Sequence, residues 1–213
     1  MALDFYHGHG SPFSWRVWLA LEAKGIPYNL KVLSFDKKET TKPEFVAINP
    51  RHTVPTIVDD GYALWESLAI LEYLDERFPS GAKLYPGDAK ARARTRRLIR
   101  EMEDYLGKPI DTVVEEYFWK ADAAPDKEKV DAARATVKTE LDYFAKELRG
   151  KFVAGDAPSA ADFVLYPMLG YCWRVTFRKP ESDLDHLPAA LVDYKKRIES
   201  LPYFDKTFPP HWR

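Results

Sequence analysis

Residues 49–55 read Asn49-Pro50-Arg51-His52-Thr53-Val54-Pro55, and Glu66-Ser67 stands at the head of the apolar run Leu68-Ala69-Ile70-Leu71-Glu72-Tyr73-Leu74. A proline entering a strand removes a ladder donor, so Val54-Pro55 is a poor place for an ordinary trans bond. A cis bond accounts for it: the chain turns sharply, and Val54 offers its backbone N–H and C=O to an extended ligand. Ser67 falls where the free N–H groups of a helix N-terminus hold a carboxylate, and Glu66 beside it suits an ammonium. An α-amino acid carries both groups on one carbon. The three features together expect a short peptide with an exposed amino-acid end.

The flanking sequence sets this stretch in an α/β unit. Residues 2–7 read as a strand, Gly8 and Gly10 break it, and Ser11-Pro12 opens a helix, serine being a favoured N-cap and proline a favoured first residue. Gly25 stops that helix. Residues 28–35 alternate as a strand, and a short helical segment from Lys42 to Ile48 leads into the quoted stretch. Strands at Thr56–Asp59 and Ala63–Trp65 flank Asp60-Gly61, a strong hairpin signal, and a helix runs from Ser67 to about Phe78. The order matches a thioredoxin-like layout. Pro79-Ser80-Gly81 and Pro86-Gly87 mark a linker, after which helical periodicity dominates, with helices expected near 88–118, 126–148, 160–173 and 188–199. The expected organisation is a thioredoxin-like domain over 1–80, a linker over 81–87 and an all-helical domain over 88–213.

Composition narrows the function classes. At 213 residues, 46% hydrophobic and 31% charged, the chain has the balance of a globular protein of one large or two small domains. A net charge of −1 gives no global pull toward nucleic acid or an anionic membrane. The apolar runs are too short to span a bilayer, and Met1-Ala2-Leu3-Asp4 lacks the basic and apolar regions of a signal peptide. Cys172 is the only cysteine, so no internal disulfide forms. These features fit a cytoplasmic protein. The five histidines, at 7, 9, 52, 186 and 211, make no metal-ligand pattern.

The chain resembles the glutathione S-transferase family over nearly its whole length. The resemblance is carried by Ser11-Pro12-Phe13-Ser14-Trp15-Arg16-Val17, by Asn49-Pro50 through Val54-Pro55, by Glu66-Ser67 through Leu74, and by Gly155-Asp156 through Ser159-Ala160-Ala161-Asp162, in that order. It implies that the ligand is glutathione, with its γ-glutamyl end on Glu66-Ser67. It also implies a detoxifying, homodimeric enzyme that joins glutathione to an apolar electrophile. The first segment looks like the serine-type theta and zeta branches, whose catalytic serine matches Ser11. Ser14 is the fallback. Tyr6 is a third candidate, because tyrosine-type relatives place the hydroxyl at the end of the first strand, but it lies farther from Arg16 than that pattern asks.

The chemistry expected at Ser11 follows from its place at a helix N-terminus. The chain has Ser-Pro-Phe-Ser where a disulfide reductase has Cys-x-x-Cys, so it brings no thiol of its own. A hydroxyl there can donate to a thiolate that arrives with the ligand. Lys42 stands where relatives carry a base for the glycine carboxylate, while His52 and Thr53 replace the family's more usual residues before Val54-Pro55. Tyr117, Trp119, Tyr166 and Trp173 are candidates to line an apolar second-substrate pocket, and aromatics at helical spacing also serve as core. Arg16 reads as a tie for the serine loop. Ser159 and Asp162 read as a capping box. The basic run Lys90, Arg92, Arg94, Arg96, Arg97 and Arg100 precedes Glu101, Glu103 and Asp104 and reads as a solvated or dimer-interface helix. The resemblance implies that Glu103 or Asp104 on that helix reaches a partner subunit's ligand, as an acidic residue there does in some relatives.

Two other readings stay open at this level. One is a different glutathione-dependent reaction on the same scaffold: isomerisation, dehalogenation or ether cleavage. The isomerase branch has Ser and Cys where this chain has Pro12 and Phe13. The other is a non-catalytic binding protein of the same fold, against which Ser11, Glu66 and Ser67 argue.

Overall fold

The computed structural model describes residues 3–120 and 124–212; Ala2, expected to open the first strand, lies outside them. The chain divides into two compact units, one running to Pro86 and taking in the segment from Leu201 onward, the other Gly87–Ser200.

In the first unit the elements run β1 (Leu3–His7), α1 (Pro12–Lys24), β2 (Tyr28–Val32), α2 (Pro43–Val46), β3 (Thr56–Asp59), β4 (Tyr62–Trp65) and α3 (Ser67–Arg77). The sheet order is β2-β1-β3-β4, with β1 parallel to β2 and the other pairs antiparallel. A parallel pair needs a crossover, which α1 supplies, and an antiparallel pair needs only a tight turn. Asp60 and Gly61 supply that turn, both at positive φ (48° and 85°), as a two-residue hairpin demands. Leu3, Phe5 and His7 are buried on one face of β1, and Phe5 meets Trp18 of α1 edge-on at 6.5 Å. Tyr6 points to the other face, against Phe45 of α2 at 5.5 Å. β2 ends at Val32, three residues short of the expected strand. Beyond it the chain turns away through Ser34–Lys38, where Glu39 takes the Ser34 N–H at 2.8 Å.

Asp75 explains why this unit continues past α3. Its carboxylate accepts from the backbone of Leu84 at 2.8 Å and of Tyr85 at 3.2 Å, and pairs with Lys24 at 3.3 Å. Leu84 and Tyr85 are buried as a result. The segment from Leu201 returns to α1 through a short helix, α9 (Phe204–Thr207). The sequence reading ran the helical domain on to 213; the Trp15 ring, which needs an apolar cover, draws this segment into the first unit instead.

The second unit is helical: α4 (Ala89–Glu101), α5 (Lys108–Val114), α6 (Lys127–Glu147), α7 (Ala160–Arg178) and α8 (Ala189–Glu199). From Ala89 to Trp119 the helix is continuous, widening to π turns at Met102–Gly107 and Glu115–Trp119. The first widening precedes Pro109, whose missing N–H and ring an α-helical ladder does not accommodate. The basic run is absorbed here: Arg94 and Arg97 both bond Glu147 of α6, at 2.8 and 3.0 Å, and Arg100 pairs with Asp104 at 2.6 Å.

Asp162 anchors the N-terminus of α7. Its carboxylate reaches back to the Ser159 N–H at 2.8 Å, takes the Ser159 hydroxyl at 2.7 Å and the Val153 N–H at 2.9 Å. Burial outweighs these donors and raises its pKa from 3.8 to about 6. A carboxyl raised by folding stabilises the protein below its unfolded pKa, and that contribution is lost as pH rises through about 6. The stability of the wild type relative to Asp162→Asn should therefore fall by about 2 kcal/mol between about pH 4 and pH 7, most of it below about pH 6. Urea unfolding of both proteins at the two pH values checks this; a difference that grows with pH contradicts it.

Candidate functional site

The loop between β1 and α1 is a tight turn closed by the Ser11 N–H on the Gly8 carbonyl at 3.1 Å. Gly10, its third residue, has φ +89°, the mark of a type II turn and a conformation only glycine adopts freely. Gly8 lets the Phe35 ring lie close, since a Cβ there would come within 2.5 Å of it and Phe35 would have to shift. Ser11 then caps α1, its Oγ accepting the Ser14 N–H at 3.2 Å. This uses a lone pair and leaves the hydroxyl proton to donate elsewhere. Ser11 is half-buried and Ser14 fully buried, and the Ser14 Oγ accepts the Gly8 N–H at 3.4 Å. The two serines thus part ways: Ser14 braces the loop from within, and Ser11 stands at its surface. Tyr6 lies on the sheet face away from α1, and burial raises its pKa.

Asn49 organises the quoted stretch. Its buried amide donates to the Thr53 carbonyl at 2.9 Å and the Thr56 hydroxyl at 2.9 Å, and its Oδ1 accepts the Arg51 N–H at 2.9 Å. His52 takes φ +45° to complete the turn. The Val54-Pro55 bond is cis, as the sequence leads one to expect. Among the described residues no hydrogen bond reaches the backbone N–H or C=O of Val54, so both stay available beside the turn. Thr53 is exposed and Val54 and Pro55 are buried.

At the head of α3, Glu66 adopts φ +69°, ψ 104°. A non-glycine residue there is strained, and such strain concentrates where a ligand is gripped. Ser67 follows as the first helical residue, and its Oγ accepts Arg16 Nη1 at 3.2 Å. Arg16, one turn into α1, is wholly buried. Arg16 lies over the Phe13 ring, beside Ser11 and Ser14, at 4.8 Å, and it also reaches Ser67, joining the heads of α1 and α3. Its fixed position beside a proline-opened helix was the only signal for this, and spacing alone does not name a partner 51 residues away.

Lys42 is exposed and pairs with Glu39 at 3.4 Å, and exposed His52 makes no described contact beyond its backbone turn. In the helical unit, Tyr166 is 1% exposed and bonds Glu199 at 2.9 Å, which gives it a core role. Trp119 is 77% exposed. Tyr117 donates to the Glu181 carbonyl at 3.1 Å, and Trp173 stacks on Phe177 at 5.6 Å. Burial pushes the Cys172 thiol up to about 12, which keeps it protonated and inert. Among the described residues no group of His, Cys, Asp and Glu is placed to hold a metal, and no helix is long and apolar enough to cross a membrane.

Comparison with known proteins bears on both units. A family profile described as "Glutathione S-transferase, N-terminal domain" matches residues 10–77, and one described as "Glutathione S-transferase, C-terminal domain" matches residues 127–197. Among solved structures, a glutathione S-transferase from the Antarctic clam Laternula elliptica is 30% identical, with a TM-score of 0.81 over 100% of this chain and 94% of that one. Glutathione transferase Omega 3C from Trametes versicolor is 25% identical, with a TM-score of 0.84 over 98% and 90%. A delta-class glutathione transferase from Nilaparvata lugens is 26% identical, with a TM-score of 0.77 over 97% and 92%.

The Asn49 network predicts a measurable cost. Asn49→Ala removes the bonds to the Thr53 carbonyl and the Thr56 hydroxyl, which keep only each other at 3.1 Å, and takes the acceptor from the Arg51 N–H, so unfolding free energy should drop by about 1–3 kcal/mol. Chemical denaturation reads this directly; a loss below about 0.5 kcal/mol would show that the turn holds without the amide.

Proposed function

The chain belongs to the glutathione S-transferase family, and on that premise we propose that it conjugates the glutathione thiolate to an apolar electrophile, with Ser11 as the stabilising hydroxyl. The observation that carries the assignment is the place of that hydroxyl: Ser11 is half-buried at the head of α1, and its oxygen accepts the Ser14 N–H, which leaves its proton to donate. Capping and thiolate stabilisation use opposite ends of one group and do not compete. The same assignment places the chain with the serine-type, theta- and zeta-like members.

The chemistry needs no protein nucleophile. The glutathione thiol loses its proton to solvent, and the resulting thiolate accepts the Ser11 O–H at the positive end of α1. A charge-assisted hydrogen bond contributes roughly 1.5–3 kcal/mol and the helix terminus about 0.3–1 kcal/mol. Since one pKa unit corresponds to about 1.4 kcal/mol, the pair lowers the thiol by about one to three units. The thiolate attacks the electrophilic carbon, a C–S bond forms, and a leaving group such as chloride departs with the bonding pair. Ser11 keeps its proton throughout and acts by electrostatic stabilisation.

Binding would come from the features already drawn together. The α-carboxylate of the γ-glutamyl end meets the free N–H groups of α3 and the Ser67 hydroxyl, whose oxygen is occupied by Arg16 and whose proton is left to donate. Glu66 meets the ammonium, and the Val54 backbone pairs with the cysteinyl residue. Thr53, His52 and Lys42 stand nearest along the chain for the glycine end. The electrophile class, a homodimeric state and a cytoplasmic setting rest on the resemblance of the sequence to its family.

Ser11→Ala should raise the apparent pKa of kcat/KM by about one to three units, lower turnover at neutral pH by about ten- to a thousandfold, and leave KM for glutathione within a few-fold. Steady-state rates with a chlorinated nitrobenzene across pH check this, and an unchanged pH profile rejects the assignment. Ser67→Ala should do the reverse, raising KM for glutathione by about ten- to a hundredfold with the pH profile unmoved.

A further inference from the structure

Three observations on the segment Phe204–Trp212 converge on the loop that carries Ser11. First, Trp15, which stands directly after Ser14 and donates its N–H to the Ser11 carbonyl at 3.0 Å, is enclosed by that segment. Its indole donates to the Thr207 hydroxyl at 3.1 Å, and its ring meets Phe204 at 6.1 Å, Phe208 at 5.7 Å and Trp212 at 5.5 Å, the last at 90°. Second, the segment is fastened farther along α1, where Lys206 pairs with Glu22 at 2.6 Å and lies 5.3 Å over the Tyr28 ring. Third, it closes on the turn itself. A Cβ on Gly10 would lie 3.1 Å from His211 Nε2 and 3.6 Å from Trp212 Nε1. The residue before Ser11 thus has the His211 imidazole and Trp212 indole directly against it.

We infer that Trp212 and His211 are positioning residues for the reaction: they press the Gly10 turn and the first turn of α1 into the one arrangement in which the Ser11 hydroxyl faces the glutathione sulfur. The physical reason is leverage. A type II turn with glycine in its third position has many accessible alternatives once unsupported, and the strength of a hydrogen bond falls steeply when its donor angle drifts. Trp212 is buried and His211 exposed, and neither belongs to the elements that carry Val54, Glu66 or Ser67. Loosening them should therefore disturb the thiolate and spare the grip on the peptide. This rests on Ser11 being the thiolate donor.

The test is a mutant cycle. Trp212→Ala, Trp212→Phe and His211→Ala are each made with Ser11 intact and with Ser11→Ala. The pKa of the bound glutathione thiol is read from the ultraviolet absorbance of the thiolate, and glutathione affinity from calorimetry. With Ser11 intact, Trp212→Ala should raise the bound thiol by about one unit and lower kcat at neutral pH about tenfold, with the glutathione Kd changed less than about threefold. Trp212→Phe, which keeps a ring against Trp15, should recover most of the loss. In the Ser11→Ala background Trp212→Ala should add nothing further, as expected for residues acting through one group. Should Trp212→Ala compromise folding, His211→Ala leaves the Trp15 cluster intact and reads the same change. An equal rise in both backgrounds overturns the positioning role while leaving the serine assignment standing. A thiol pKa unmoved in folded Trp212→Ala and His211→Ala overturns it as well. Ser11→Ala alone leaving the thiol unchanged removes the serine assignment itself.

Discussion

A buried guanidinium holds the heads of α1 and α3 in register. Arg16, one turn into α1, reaches the hydroxyl of Ser67 at the head of α3, so the helix capped by Ser11 and the helix headed by Glu66 and Ser67 are fixed to each other. A charge taken this far from water is tolerated only where polar groups receive it. That requirement turns a pair of helix ends into one arrangement with a set spacing. The sheet supplies the third point: β3 pairs antiparallel with β1, which brings the Val54-Pro55 bend next to the loop that follows β1.

From this spacing the proposed catalysis follows with little added machinery. A tripeptide held at its amino-acid end by α3 and along its backbone by Val54 has its sulfur delivered toward the head of α1, so proximity is supplied by binding. The protein then only has to favour the anion. Burial holds His7 down to about 3, and His9, which meets it at 3.0 Å, is also lowered by burial and by His211.

Much of the fold was legible because its signals are local. Asp60-Gly61 at positive φ, Gly25 as a left-handed helix stop, Ser11-Pro12 as a helix start and Asp162 reaching back to Ser159 each depend on a few adjacent residues, and each appears where expected. The cis bond at Pro55 belongs with them. What was not legible depends on distance. The Arg16–Ser67 contact spans 51 residues and the Trp15–Thr207 contact 192, and no spacing rule names such partners. The segment from Leu201 was assigned to the helical domain because it follows helices in sequence, and it packs with the first unit because Trp15 needs cover. Tyr166 is a pocket candidate of a type that more often serves as core, and its burial with a bond to Glu199 gives it that core role. The identity of the second substrate is carried by no local pattern at all, since fold resemblance does not fix a pocket's chemistry.

The central claim is geometric, and a crystal structure of the protein with glutathione bound tests it most directly. The account predicts the sulfur within hydrogen-bond distance of the Ser11 Oγ, about 3–3.5 Å, with the γ-glutamyl carboxylate on Ser67 and the cysteinyl backbone on Val54. A sulfur turned away from the head of α1, or resting on Tyr6 instead, would contradict it.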